Sequence, residues 1–299
     1  MVRTFNEILR AAKDKGPKII AVAVAQDIEV LSAVNGAKDL GIANAILVGD
    51  KDEISKAAKE CGVDINKFDI IDIKEKDEAC RKAVELVSTG KAHIVMKGLV
   101  DTSVILKAVL DEKIGLRTGN VLSHVAVFDV SGYDRLFYVT DAAMNIAPNV
   151  LQKKQIIENA VQVANALGND NPKVALLAAV EKVNPKMQAT LDAAELVKMN
   201  ESGELTGCTL GGPFALDNAV SVEASKHKGI IHPVAGYADI LLVPDIEAGN
   251  ILYKSMVFLA RAKNAGVIVG AKAPVVLTSR ADSDEAKLNS IAIAALMAR

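Results

Sequence analysis

The sequence predicts an α/β protein built on a parallel or mixed sheet in two lobes of three layers. Three observations carry this. Short apolar runs alternate with helical stretches along almost the whole 299 residues. The runs are nearly continuous rather than alternating, as in strands covered on both faces. Strands separated by helices of this length imply right-handed βαβ units. The length itself suits two lobes of about 150 residues each.

Each element has a local reason. Thr4 and Glu7 form a capping-box pattern that opens a first helix. The run 18–25 (KIIAVAVA) reads as a strand and 27–40 as a helix, followed by a strand at 43–48. The cycle repeats with helix 52–60, strand 68–73, helix 77–88, strand 93–96 and helix 102–110. Between 121 and 139 two β-rich runs flank Ser131-Gly132-Tyr133-Asp134, which reads as a hairpin turn. A long helix at 150–167 carries Val150, Ile157, Val161 and Ala164 on one face and ends at the Gly168–Pro172 segment. A strand at 174–180 follows, and Asn184-Pro185 places a cap and an N1 proline at the start of another helix. Strands at 240–243, 267–269 and 275–277 and a last helix from about Ser283 complete the pattern.

Composition removes several function classes. Lysine plus arginine total 35 against 37 acids, so no basic excess points to nucleic acid. Aromatic residues make up 3% and tryptophan is missing, which leaves few platforms for stacking bases. Three cysteines (Cys61, Cys80, Cys208) without a CxxC pair indicate neither a disulfide framework nor a zinc knuckle. The N-terminal stretch is a charged amphipathic helix and not a secretory signal. The longest apolar run, 291–298, is too short to cross a bilayer. A soluble, cytoplasmic protein with no membrane or nucleic-acid partner is expected.

The familiar nucleotide motifs fail. STGK at 88–91 lacks the leading glycine of a P-loop, since Val84 stands there. GCTLGG at 207–212 has the wrong spacing for GxGxxG, and the first strand–helix junction contains no glycine. No metal-binding His cluster occurs among His93, His124, His227 and His232. What remains are polar strand-end loops, where open α/β sheets bind ligands. MKGLVDTS (96–103) offers the cation Lys97, close backbone approach at Gly98, and Asp101, Thr102 and Ser103 to cap a helix N-terminus that suits an anion. GYADILLVPDIEAGN (236–250) runs from a strand through Asp245 and Glu247 to Gly249-Asn250 at a helix start. TSRADSDEAKLNS (278–290) sets Ser279 and Arg280 beside Asp282, Asp284 and Glu285. A hydroxyl, a guanidinium and carboxylates on one loop suit phosphate binding, a developing oxyanion and proton transfer.

GYADILLVPDIEAGNILYK, GGPFALDNAVS (211–221), DAAMNIAP (141–148) and the terminal LTSR loop together resemble the phosphate acyltransferase family, which includes phosphate acetyltransferases and phosphate butyryltransferases. The likeness covers nearly the whole chain with four motifs in order. MKGLVDTS, LRTGNVLSHVAVFD and AVEKVNPKMQAT are most similar to the butyryl branch. The resemblance implies a fold like that of isocitrate and isopropylmalate dehydrogenases, with the active site in a cleft between the lobes. The expected lobes are 1–145 with 280–299, and 146–279. It implies reversible conversion of acyl-CoA, butyryl-CoA foremost, and phosphate to acyl phosphate and coenzyme A. No cofactor or metal is expected; coenzyme A is substrate and product. A homo-oligomer and an acyl (butyrate) kinase as metabolic neighbour are also implied.

Residue roles follow from the reaction. Phosphate and the CoA phosphates call for cations, and Arg280, Arg117, Lys107 and Lys97 are available. Lys107 stands where acetyl members carry an arginine, keeping charge without the fork. Ser279 faces the thioester oxygen as donor, and Asp284 or Asp282 takes the thiol proton. Thr102, Gly98, Asp245, Gly249 and Asn250 complete the substrate-binding set. Ala142 replaces a cysteine found in acetyl members, so direct transfer needs no acyl-cysteine. Acetyl-CoA as substrate, a metal- and NAD-dependent dehydrogenase on the same scaffold, and a non-catalytic acyl-CoA or organic-acid binding module stay open at this stage.

Overall fold

The computed structural model of the chain describes residues 1–278 and 282–299. In chain order the elements are α1 (Phe5–Lys15), β1 (Lys18–Ala23), α2 (Ile28–Asp39), β2 (Ala43–Gly49) and α3 (Lys51–Glu60). Then come β3 (Asp69–Asp72), α4 (Lys76–Ser88), β4 (Ile94–Lys97) and α5 (Thr102–Val109). Strands β5 (Ser123–Asp129) and β6 (Leu136–Thr140) precede α6 (Val150–Ala166), β7 (Lys173–Leu177) and α7 (Gln188–Glu201). Next are β8 (Thr209–Phe214), α8 (Leu216–Val220), α9 (Val222–His227), β9 (Ile240–Leu242) and α10 (Ile246–Lys254), which continues as a π-helical turn over Ser255–Leu259. The chain closes with β10 (Lys263–Val269), β11 (Val275–Val276) and α11 (Asp284–Met297).

Contacts divide these elements into two compact units. One comprises residues 5–120 and 265–299, the other residues 1–4 and 121–264. In the first the strand order is β3-β2-β1-β4-β11-β10. All pairs are parallel except β10 with β11. The second unit has the order β5-β6-β9-β7-β8, with the antiparallel β5–β6 hairpin and parallel pairs beyond it. The mixed α/β architecture is as expected. The boundaries differ from the expected lobes for a pairing reason. The hairpin at 121–145 hydrogen-bonds to β9 and so belongs with 146–264, whereas β10 and β11 join β4 and draw 265–279 into the first unit.

Two elements depart from expectation. The helix expected at Asn184-Pro185 starts at Gln188, because Asn184 Oδ1 accepts the Lys186 N–H in a turn of its own. β8 runs through Gly211-Gly212-Pro213, a composition that argues against a strand. It is tolerated because β8 is the last strand of its unit, where a missing N–H leaves no ladder bond broken.

Helix α11 is buried almost all round: Ala286, Ile291, Ala292, Ile293, Ala294 and Ala295 are inaccessible or nearly so. A helix apolar on every face belongs inside a protein. It packs on α1, α2 and β11, and Ser290 Oγ accepts the Gly266 N–H at 2.9 Å. The second unit closes over Phe128, Phe137, Val139, Phe214 and Leu241.

Candidate active site

In the first unit β1, β4 and β11 lie side by side with Ala23 opposite Lys97 and Val276 opposite Met96. Their carboxyl ends therefore open on one edge, where the chain leaves β4 after Lys97 and β11 after Val276. This is where ligands bind in open α/β sheets.

Lys97, the last residue of β4, is only 6% exposed. Its Nζ donates to the carbonyls of Gly98 and Val100, both at 3.3 Å. The side chain thus folds under its own loop instead of standing out as a surface cation. Gly98 is required by close approach: a Cβ there would lie 2.2 Å from the Val24 carbonyl oxygen. The same contact is secured by Gly98 N–H to Ala23 O and Leu99 N–H to Val24 O, both 2.8 Å. Thr102 is the exposed first residue of α5. Asp101 stands at its N-cap without a cap hydrogen bond, so the helix presents free N–H groups at this edge. A neighbouring open hollow is lined by Gln26, Asp27, Ile28, Glu53, Lys56 and Leu99.

On the β11 side, Thr278 is buried and Asp282 half-buried. Ser279 and Arg280, the foremost catalytic candidates, lie outside the described residues. Ser283 caps α11 by accepting the Ala286 N–H at 3.2 Å. Asp284 is exposed in the first turn, its Oδ1 accepting the Glu285 N–H at 2.8 Å. Lys287, 2% exposed, donates from Nζ to the Asp282 carbonyl.

Two expected cations stand apart from this edge. Lys107 is exposed in the last turn of α5, at the opposite end of that helix from Thr102. Arg117 follows Leu116, whose carbonyl accepts the Lys272 N–H just before β11 begins. Thr118 Oγ1 donates to Gly270 O beside it. That is the amino end of β11, so within the first unit Arg117 lies across the sheet from Lys97 and Asp282. Its side chain is 53% exposed and pairs with Glu112 at 3.5 Å. Sequence distance gave no warning, because β10 and β11 form a hairpin that brings 270–272 to the far edge.

The second unit has its own strand-end cluster. β6 and β9 are parallel with Thr140 opposite Leu242, so the loops after them are neighbours. Asp245 caps α10, Oδ1 accepting the Ala248 N–H at 2.9 Å. Gly249 is buried against the preceding loop: a Cβ would meet Asp141 O at 2.7 Å and Ala142 Cα at 2.9 Å. Asn250 is exposed and its Nδ2 reaches Ala142 O at 3.4 Å. Asp141, not singled out from the sequence, organises the turn. Its carboxylate, 3% exposed, accepts the N–H groups of Ala143, Met144 and Asn145 at 2.9, 3.0 and 3.2 Å, and Asn145 Nδ2 at 2.6 Å. An Asp at a strand end followed by small residues and Asn is the available signal, an Asx-type turn.

Two thiols are unsuited to nucleophilic work. Burial first, then the Asp77 carboxylate, pushes Cys80 up to about 12, with the Lys97 ammonium acting the other way. Burial and Glu158 do the same to Cys208, also to about 12. The thiolate is the nucleophile, so both stay inert near neutral pH. Among the described residues, no group of three or more His, Cys, Asp or Glu is placed to hold a metal ion, and no helix is long and apolar enough to cross a membrane.

The profile of a family described as "Phosphate acetyl/butaryl transferase" matches residues 4–82 and 76–295. The phosphate butyryltransferase of Clostridium acetobutylicum is 55% identical over 298 residues, covering 100% of this chain and 99% of that protein. The phosphate acetyltransferase of Thermotoga maritima is 48% identical over 98% of this chain and 99% of its own length. Among solved structures, a branched-chain phosphotransacylase from Enterococcus faecalis superposes with a TM-score of 0.83 at 37% identity, covering 94% of this chain and 98% of that one. Likeness of fold alone extends to 4-hydroxythreonine-4-phosphate dehydrogenase from Klebsiella pneumoniae, with a TM-score of 0.57 at 15% identity, covering 93% and 98% of the two chains.

Proposed function

Because the chain belongs to the phosphate acetyl/butyryl transferase family, we propose that it moves a short acyl group, butyryl ahead of acetyl, between coenzyme A and inorganic phosphate. The observation that carries this reading is the 55% identity to a phosphate butyryltransferase over the full chain. The 48% identity to a phosphate acetyltransferase favours acetyl-CoA as the second reading. The dehydrogenase likeness is one of fold, and fold does not carry function.

In the direction of acyl-phosphate synthesis, a phosphate oxygen attacks the thioester carbonyl and the new C–O bond forms as the carbonyl π electrons move to oxygen. The tetrahedral oxyanion collapses, the C–S bond breaks, and the sulfur leaves with its electron pair to take up one proton. Arg280 holds phosphate through its two-pronged guanidinium. Ser279 donates to the oxyanion, where a donor acts on charge that exists only near the transition state. The free N–H groups at the start of α5, on the loop stiffened by Lys97 and Gly98, add a second anion contact beside Thr102. In the second unit, Asp245, Gly249 and Asn250 form the loop that we assign to coenzyme A. Lys107 and Arg117 drop out of this scheme, since neither shares an edge with the others within the first unit.

In the reverse direction the CoA thiol gives up its proton. We assign this to Asp282, which is half-buried beside the loop. Asp284 is exposed, and its Oδ1 is taken up by the Glu285 N–H of its own helix. Asp282→Asn is expected to slow acyl phosphate plus CoA by about 100-fold. Asp284→Asn should stay within about threefold, and equal losses in the two would return the role to Asp284.

The reading is tested by phosphate-dependent release of thiol from acetyl-, propionyl-, butyryl- and valeryl-CoA. A maximum near four carbons supports it, a maximum at two selects the acetyl reading, and no release with any of the four sinks both. We further read the protein as a cytoplasmic homo-oligomer whose acyl phosphate product is consumed by an acyl kinase.

A further inference from the structure

We infer that the buried Lys153–Asp192 pair positions the turn at the carboxyl end of β9, and with it the Asp245–Asn250 segment that takes coenzyme A. The inference rests on the assignment of that segment to coenzyme A given above. Lys153 stands near the start of α6 and Asp192 near the start of α7. Their side chains meet at 2.6 Å, each 6% exposed, and Gln188 Nε2 donates to the second carboxylate oxygen at 2.7 Å. Within the second unit α6 packs on β5 and β6, whereas α7 packs on β7 and β8. β9 is the strand between β6 and β7. The ion pair therefore ties the two helices together at the middle strand of their sheet.

Lys153, Asp192 and Ala189 face one gap with Leu177, Val243 and Pro244, which lie at or just beyond the ends of β7 and β9. The gap measures ≈ 10 Å³, the lower limit for a single water, so no solvent layer separates the turn from the pair. On the β6 side the turn is held by backbone bonds. Val243 N–H donates to Thr140 O at 2.9 Å, and Ile246 N–H to Ile146 O at 3.0 Å. On the β7 side Pro244 has no N–H to give. Among the described residues no backbone bond ties 243–245 to the loop after β7, so packing against Lys153, Asp192 and Ala189 fixes that side. A methionine and a leucine would fill the space without taking two charges out of water. What the ion pair supplies instead is direction: a charge-assisted bond sets the separation of α6 and α7, where apolar groups can slide. Asp245 follows Pro244 directly and opens α10. Its Oδ1 accepts the Ala248 N–H at 2.9 Å, and Gly249 N–H donates to its carbonyl at 3.1 Å. A shift at Pro244 is therefore passed to Asp245, Gly249 and Asn250 together.

The test uses the full chain and the double variant Lys153→Met/Asp192→Leu. The melting temperature, Kd for coenzyme A by calorimetry, KM for phosphate and amide exchange at Ala248 are measured. The double variant should melt near wild type, since no charge is left unpaired. A pair that served stability alone would then leave binding untouched. Instead, Kd for coenzyme A should rise at least about tenfold, because a misplacement of about 1 Å is costly. KM for phosphate should stay within about threefold. The Ala248 amide should exchange with solvent at least about tenfold faster than in wild type. Wild-type Kd in the folded double variant overturns the inference. So does an unchanged exchange rate at Ala248, which would mean that the turn is placed without the pair. If the double variant does not fold, Asp192→Asn decides, since it keeps the shape and removes one charge. A rise in Kd of about threefold or more at unchanged KM for phosphate then supports the inference, and wild-type Kd removes it. Asn250→Ala, run in parallel, separates the two readings. Loss of coenzyme A binding with Asn250→Ala but not with the double variant removes only the positioning role. Loss with the double variant alone supports that role and takes Asn250 out of the coenzyme A set. Wild-type Kd in both removes the assignment of the segment and the inference with it.

Discussion

Gly98→Ala tests how tightly the β4 loop is clamped to β1. The added Cβ would sit 2.2 Å from Val24 O and 2.9 Å from Ala23 O and Val24 C, all backbone atoms. Carbon contacts are comfortable near about 3.5 Å, so the two segments must part by roughly 1 Å. That separation strains or breaks the two 2.8 Å bonds from Gly98 N–H and Leu99 N–H to β1. Each such bond contributes about 0.5–1.5 kcal/mol net, and overpacking costs about 1–3 kcal/mol. A loss of about 2–6 kcal/mol follows. Gly36→Ala is the contrasting change. It lies in the interior of α2, and the nearest atom to its new Cβ is Leu288 Cδ2 at 3.6 Å, an ordinary contact. There alanine should stabilise by about 0.5–1 kcal/mol, because glycine loses more freedom on entering a helix. Urea unfolding with both variants reads the difference as midpoints moving in opposite directions at constant slope. A Gly98→Ala midpoint at or above that of wild type would show that the loop is free to retreat, and the clamp would be refuted.

The other expectations rest on single buried groups. Asp141→Asn replaces one carboxylate oxygen by a donor among four donors, and should cost about 2–3 kcal/mol by leaving buried N–H groups unsatisfied. A melting temperature unchanged in that variant would mean that the 141–145 turn forms without its carboxylate. Lys153 and Asp192 pair at 2.6 Å with both side chains 6% exposed, so Lys153→Met strands a buried carboxylate and should cost about 3–5 kcal/mol. Adding Asp192→Leu should recover most of the loss; a double variant as unstable as the single one contradicts this. Burial holds His232 below the ordinary histidine value against an opposing pull from Glu201. Its Nδ1 accepts the Val234 N–H at 3.2 Å, which requires the neutral ring. A lowered folded value means that its stabilisation is present above the ordinary 6.5 and lost as pH falls through the folded value. Unfolding at pH 7 and pH 5 should therefore show a smaller acid loss in His232→Gln than in wild type, and equal losses would exclude the role.

Much of the fold was legible because its strands are buried on both faces and so announce themselves as apolar runs. β1, β2, β4, β5, β6, β7 and β9 fall within a few residues of their runs. β8 was not legible, since glycine and proline at Gly211, Gly212 and Pro213 weaken the strand signal and only its terminal place in the sheet permits them. Neither was the start of α7, where a proline suited to a first helical turn lies instead in a turn held by Asn184. The division of the chain depended on which strands pair, and pairing across more than a hundred residues leaves no local mark.

Site residues were harder to read for a related reason. A strand end releases backbone groups from the ladder, and each needs a partner. Polar side chains nearest the strand ends meet that need first. Lys97 is occupied by the carbonyls of 98 and 100, Asp245 by the α10 N-terminus, and Asp141 by three N–H groups. From sequence Lys97 and Asp245 look like ligands because they carry charge at strand ends. In the structure all three fix the loops, whereas Thr102 is exposed at the start of α5 and Asn250 is exposed with a long 3.4 Å contact. Charge and position in the sequence thus single out the strand ends, while the hydrogen-bond inventory shows which of the polar residues there are committed to holding the backbone.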